Sequence, residues 1–349
     1  MEIFKRYRFL FFIVVLTSIF GCGGKGYDQK KRAVDIIRYD RLIFGIEKSN
    51  IKREFEAIKT DFPAMTDIYF GKVLEMPGYK TNDSIFYKEL KTFITDSSMV
   101  NLFDLCEKEF GEMDEIKLEF ANIFAKAKKM YSGIEIPKVY SCISGFAIQR
   151  FLFNDNSGEA LAFSLDMFLG DRFDYSRLER GQGTFSDYFV RTYNKDYLVK
   201  KVLELWLEDV IGSDDNERAI DKMINKGKKI FFIKQLMPDI QDTILLDYSK
   251  EQLEWLKNNE QELWSYMIKK NLFYTTSDYE IKRLISPGPN SQALGMPRKS
   301  PGMTGVYIGY RIVSSYMNRY REKTIEDLLK DKNAQKIMSK SGFKPKRRS

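Results

Sequence analysis

The first two dozen residues constrain this chain most, because they determine where a folded body can begin. Lys5, Arg6 and Arg8 make a basic start, residues 9–20 carry no charge, and Ile19-Phe20-Gly21-Cys22 follows. A charged start, a short apolar core and a small-residue cleavage point are the parts of a secretory signal. The apolar run falls short of the roughly 20 residues that a helix needs to cross a bilayer core. A cysteine directly after the small residue turns ordinary cleavage into lipid attachment at Cys22, the plainer alternative being a signal or uncleaved anchor that happens to contain a cysteine. More than one acyl chain, at about 0.8 kcal/mol per buried methylene, anchors a protein stably. The expected layout is a signal over residues 1–21, a flexible tether over 22–33 and one body over 34–346. No later segment approaches spanning length without charges.

Of 349 residues, 43% are hydrophobic and 14% aromatic, enough to fill a sizeable core, so disorder is not expected. The formal charge of +8 falls to +6 without Glu2, Lys5, Arg6 and Arg8. An ordinary soluble surface explains such an excess more simply than attraction to anionic lipids or glycans. Outside the cytoplasm the basic tail Lys344-Pro345-Lys346-Arg347-Arg348 is not read as a nucleic-acid contact, and no nucleic-acid partner is expected. An oxidising compartment permits a Cys106–Cys142 bridge, while two buried thiols account for the pair equally well. Histidine is missing altogether. That removes Ser-His-Asp and Cys-His sites and His-Glu-x-x-His zinc sites, leaving carboxylate or lysine chemistry or an oxygen-lined cation site. No cofactor is expected.

Residues 34–44 alternate imperfectly and predict an extended opening segment. Helical spacing covers residues 51–60, 83–94 and a long run over 102–130. Residues 139–146 and 159–168 read as strands, with Asn154-Asp155-Asn156-Ser157-Gly158 closing a hairpin rather than forming a calcium loop. Helices follow over 197–211, 219–236 and 249–271, the last opened by a capping box at Ser249 and Gln252. A Gly/Pro-rich connection over 286–304 leads to a helix over 306–320 and a closing helix near Thr324. The fold class is α+β, mostly helical with a small antiparallel hairpin or sheet, divided into a helical part (45–136) and a sheet with a helical core (137–346).

Several short motifs appear in a fixed order. Leu165-Asp166-Met167-Phe168-Leu169-Gly170 comes first, then Gly227-Lys228-Lys229-Ile230-Phe231-Phe232 with Leu236-Met237-Pro238. Asn259-Glu260 and Trp264-Ser265-Tyr266-Met267-Ile268 follow. Ser300-Pro301-Gly302-Met303-Thr304-Gly305 runs into Ile308-Gly309-Tyr310-Arg311-Ile312-Val313, and Ser341-Gly342-Phe343-Lys344-Pro345 closes the series. Together they resemble the gliding-motility lipoprotein B family of Bacteroidetes, with Tyr310 at that family's usual tryptophan. The resemblance is firm over 137–345 and loose over 34–131. It implies a lipoprotein lodged in the outer membrane, whose partners are the membrane, through its lipid, and envelope proteins of the gliding or secretion machinery; no acidic cluster follows Cys22 to suggest export to the cell surface, so the periplasmic side is expected. It also implies a distant likeness to zinc peptidases, whose His-Glu-x-x-His slot falls here in the helix containing Lys201-Val202-Leu203-Glu204-Leu205. With no metal-binding pair there, the expectation is a zinc-peptidase-like scaffold without its metal, and no enzyme.

The candidate contact residues are Asn259, Glu260, Trp264, Ser300, Pro301, Gly302, Gly305, Gly309 and Arg311. Around Gly302, Gly305 and Gly309 the simplest reading is a helix entry packed tightly on a neighbour; the functional alternative is an anion or partner site helped by Arg311 and the helix dipole. Glu204 and Glu208 share a helix face and read as solvated glutamates. The two Ser-x-x-Lys matches, at Ser49 and Ser341, lack companion motifs and carry no acyl-transfer reading. Expected function is therefore a non-catalytic, lipid-anchored envelope protein acting through protein contacts, set against a carboxylate-based hydrolase of cell-wall or peptide substrates.

Overall fold

A run of residues buried on both faces can sit only in the middle of a covered sheet. Ala160, Leu161, Ala162 and Phe163 are such a run, each fully buried. The computed structural model describes residues 34–178, 183–212, 217–291 and 295–345. Cys22, the signal, the tether and the end of the basic tail lie outside the described residues.

The sheet has four strands: β1 (Ile36–Arg38), β2 (Lys138–Cys142), β3 (Arg150–Asp155) and β4 (Gly158–Ser164), in the order β1-β2-β4-β3. β3 and β4 form the expected antiparallel hairpin, whose turn is held by Asp155 accepting the Ser157 backbone N–H at 2.7 Å. The sheet as a whole is mixed, because β1 pairs parallel with β2, and β2 parallel with β4. Side chains alternate along each strand. Val139, Leu161 and Phe163 face the larger apolar core, and Tyr140, Ala160 and Ala162 the smaller one.

Between β1 and β2 run α1 (Tyr39–Phe44), α2 (Ile51–Asp61), α3 (Pro63–Ile68), α4 (Asp83–Thr95), α5 (Ser97–Phe110) and α6 (Asp114–Met130). After β4 come α7 (Asp187–Val190), α8 (Lys195–Ile211), α9 (Ala219–Leu236), α10 (Asp242–Leu246), α11 (Lys250–Asn258), α12 (Glu260–Lys269), α13 (Asp278–Ile285), α14 (Thr304–Arg319), α15 (Ile325–Lys330) and α16 (Ala334–Ser341). No described helix is long and apolar enough to cross a membrane.

Several sequence-based boundaries shift, each for a local reason. The opening extended segment is strand only at residues 36–38, and Tyr39, Asp40 and Ile43 then bury one side of α1. The run over 102–130 breaks into α5 and α6 where Gly111 and Met113 take positive φ. The strand expected over 139–146 stops at Cys142, since Gly145 and Phe146 adopt positive φ. The strand expected to reach residue 168 ends at Ser164. There Leu165–Phe168 curls into a 3-10 turn that buries Asp166, which accepts the backbone N–H groups of Ser144 at 3.1 Å and Phe146 at 2.5 Å. The helix over 249–271 keeps its capping box at Ser249 and Gln252 but is two helices jointed at Asn259.

Candidate functional site: a charged cleft over a buried lysine

Helix α8 is apolar nearly all round: Leu198, Val199, Val202, Leu203, Trp206, Leu207 and Ile211 are all buried. A charged residue placed among them is drawn into the interior. Lys200 is 0% exposed, and its ammonium lies 2.8 Å from Glu204 Oε1 and 2.7 Å from Asp247 Oδ2. Lys201 approaches the same Asp247 oxygen at 2.8 Å and Glu204 Oε2 at 3.8 Å. Asp247 reaches this point because it closes α10 in the left-handed conformation, at φ +56°. Arg150, entering from β3, lies 3.8 Å from Glu204. Arg191 stacks 4.8 Å from the Tyr188 ring centre and donates to the Asp247 carbonyl oxygen.

These charges determine one another's protonation. Burial alone would raise Glu204, yet Lys200, Lys201, Lys229 and Arg150 outweigh it and hold the carboxyl well below the usual carboxylate range. Burial likewise opposes the charge on Lys200, but Asp247 and Glu204 keep its pKa above the ordinary lysine value. Lys201 moves the other way, lowered by burial and by the Lys200 charge beside it. Burial also lowers Lys229, whose ammonium is 3.4 Å from Glu208.

Of this cluster, Arg150, Arg191, Lys201, Glu204 and Asp247 line a cleft of about 330 Å³, which Lys200 itself does not reach. Lys226 and Lys229 of α9 add cations to its wall, and Phe189, Ile230, Ile285 and Val306 supply apolar surface. Glu204 is therefore not the solvated glutamate expected from the sequence: its side chain is 15% exposed because the buried helix carries it inward. Glu208, one turn further on, does face solvent, at 63% exposure. Among the described residues no group of three or more His, Cys, Asp or Glu side chains is arranged to hold a metal ion.

None of the contact residues proposed from the sequence lines this cleft; they sit in joints between helices. Glu260 accepts from the Tyr307 hydroxyl at 3.0 Å and pairs with Arg311 at 2.7 Å, tying the start of α12 to α14. Arg311 is thereby spent on Glu260, and its guanidinium also sits 5.7 Å from the Phe343 ring centre. Trp264 packs on Phe273 and Phe343, and the Asn259 side chain donates to the Trp255 carbonyl at 2.8 Å. Ser300 and Pro301 are buried, and the Gly302 carbonyl accepts from the Tyr248 hydroxyl at 3.0 Å. Gly305 packs on Leu284 and Met223, and a side chain on Gly309 would collide with the Met223 carbonyl. Gly227 meets Gly309 from the opposite helix, where an added Cβ would lie 2.5 Å from its carbonyl oxygen. Here α9 and α14 cross with their backbones nearly touching. Lys228, next in sequence, donates to the Asp331 carbonyl at 2.6 Å, and Lys229 lines the cleft.

Neither thiol is bridged. Cys106 and Cys142 are both free and buried, and burial pushes each well above the ordinary thiol pKa. The sequence reading missed Lys200, Asp247 and Arg150. The available signal was the breadth of the α8 apolar face, too wide to leave Lys200 a solvent side.

Sheet, helical core and cleft define an α+β protein built around an internally neutralised lysine–carboxylate cluster. The family model described as Gliding motility protein GldB matches residues 25–345, nearly the whole chain, and the chain belongs to that family. It is thus a gliding-motility-related protein. No match was found among the curated proteins or among the solved structures.

Proposed function

We propose that this protein is a lipid-anchored, non-catalytic part of the gliding or secretion apparatus, tethered through Cys22 to the periplasmic side of the outer membrane and working by contact with envelope proteins. Lys200 carries the non-catalytic reading. Glu204 and Asp247 are the carboxylates best placed to serve as acid, base or cation ligand, and a buried ammonium lies within 2.8 Å of both. A carboxylate so paired is a poor proton acceptor, because protonating it would strand a buried positive charge. The anchoring reading rests on the residues around Cys22 and on family membership.

The test is recovery of partners from detergent-solubilised envelope by the tagged full-length chain, with mass spectrometry of its processed N-terminus. The account expects an acylated Cys22 and envelope proteins retained through washing. An unmodified thiol at the processed start removes the anchor, and recovery of the chain alone removes the contact role.

A further inference from the structure

Around the cleft some buried polar atoms have no hydrogen-bond partner within the protein. Arg150 Nε and Gln149 Nε2 are buried donors with no acceptor, and Asp247 Oδ1 is a buried acceptor with no donor. All three residues line the cavity. Buried polar groups in folded proteins are nearly always paired, so three unpaired ones around one cavity set it apart from the rest of the molecule. Lys226, on the same wall, enters no ion pair among the described residues, and Lys229 pairs with the exposed Glu208 while also feeling the Glu204 charge.

The cleft also continues. A second hollow of about 240 Å³, lined by Ile211, Gly212, Lys222 and Asn225, shares Glu208, Lys226, Lys229 and Ile285 with the first. Among the described lining residues of the two hollows the cations are Arg150, Arg191, Lys201, Lys222, Lys226 and Lys229 and the anions Glu204, Glu208 and Asp247, with apolar side chains beside them.

We infer that this groove binds an extended peptide segment in which carboxylate side chains alternate with apolar ones. The cationic excess selects carboxylates, and Ile230, Ile285 and Val306 receive the apolar side chains. The apolar wall distinguishes a peptide from an inorganic oxyanion. A peptide brings apolar side chains to Ile230, Ile285 and Val306, which phosphate cannot. The inference deepens the contact role proposed above and rests on it, naming the partner chemistry that the groove accepts.

The experiment is calorimetric titration of the purified full-length chain in detergent with acetyl-Leu-Glu-Leu-Glu-Leu-amide, its glutamine counterpart and inorganic phosphate. The glutamate peptide should bind with one-to-one stoichiometry, and the glutamine peptide at least tenfold more weakly. Lys226→Gln should weaken binding roughly threefold, and Glu208→Gln should tighten it by a similar factor, as expected for partly exposed charges. A gain in affinity cannot come from a misfolded variant, so Glu208→Gln keeps the inference testable if Lys226→Gln fails to fold. Equal binding of both peptides, binding of phosphate alone, or an affinity indifferent to Glu208→Gln overturns it. Such a failure with envelope partners still recovered would remove the groove as the contact point and leave the contact role standing.

Discussion

At the scale of single residues, Lys200 and Asp166 show opposite ways of burying charge. Lys200 is the one fully buried cation between two carboxylates, so removing it leaves them to Lys201 and the more distant Arg150. Lys200→Met is expected to cost about 3–5 kcal/mol in a urea denaturation series, the usual cost of breaking a buried ion pair from one side. A loss below about 1 kcal/mol would mean that Glu204 and Asp247 find water or other partners. Asp166 is not balanced by a cation. Burial raises its pKa to about 6, only partly offset by the N–H groups of Phe146 and Ser144. The folded chain therefore holds this proton more tightly than the unfolded one. The resulting stability is full below the ordinary aspartate value near 3.8 and is lost as pH rises through about 6. Compared with Asp166→Asn, the native chain should lose up to about 3 kcal/mol between those limits. Parallel pH–stability curves for the two would contradict this. Neither residue's role was legible in the sequence: Asp166 falls in a segment that reads as a strand, and nothing there singles Lys200 out.

At the scale of elements, periodicity located most helices, because their apolar stripes are what the core requires. It did not locate their breaks. Met113 takes φ +56° and Phe146 φ +64°, and nothing in the local composition marks either position as left-handed. Asn259 joints α11 and α12 without interrupting the apolar spacing across it. The close crossing of α9 and α14 was half legible: Gly305 and Gly309 announced a tight approach on their own helix, but the sequence does not say that Gly227 answers them. Gly309→Ala drives a methyl into the Met223 carbonyl and should destabilise by about 1–3 kcal/mol through overpacking. Thermal unfolding of this variant beside Gly212→Ala measures the contribution of the crossing. Gly212 meets nothing within 4 Å, so its cost comes from positive φ alone. A Gly309→Ala variant as stable as the native chain would mean that the two helices separate without penalty.

At the scale of the whole molecule, the sheet partitions the interior, with a large helical core on one face and a smaller aromatic core on the other. All three tryptophans, Trp206, Trp255 and Trp264, belong to or pack against the larger core. If β2 and β4 couple the two faces, Phe55→Ala in the smaller core should lower the unfolding midpoint seen by tryptophan fluorescence, at a cost of about 3–5 kcal/mol. An unmoved fluorescence transition would show two independently unfolding bodies. The cleft opens on the larger core, where α8, α9 and the Asp247 turn converge with the end of β3. Its charges were all visible in the sequence, but their convergence depends on four separated segments that no local pattern relates. In the function proposed, the Lys200 ammonium holds the cleft in a binding rather than a bond-breaking state. The decisive measurement is mass spectrometry of a defined acidic peptide mixture incubated with the full-length chain. Every peptide should return intact; cleavage by the native chain that disappears in Glu204→Gln would contradict the proposal.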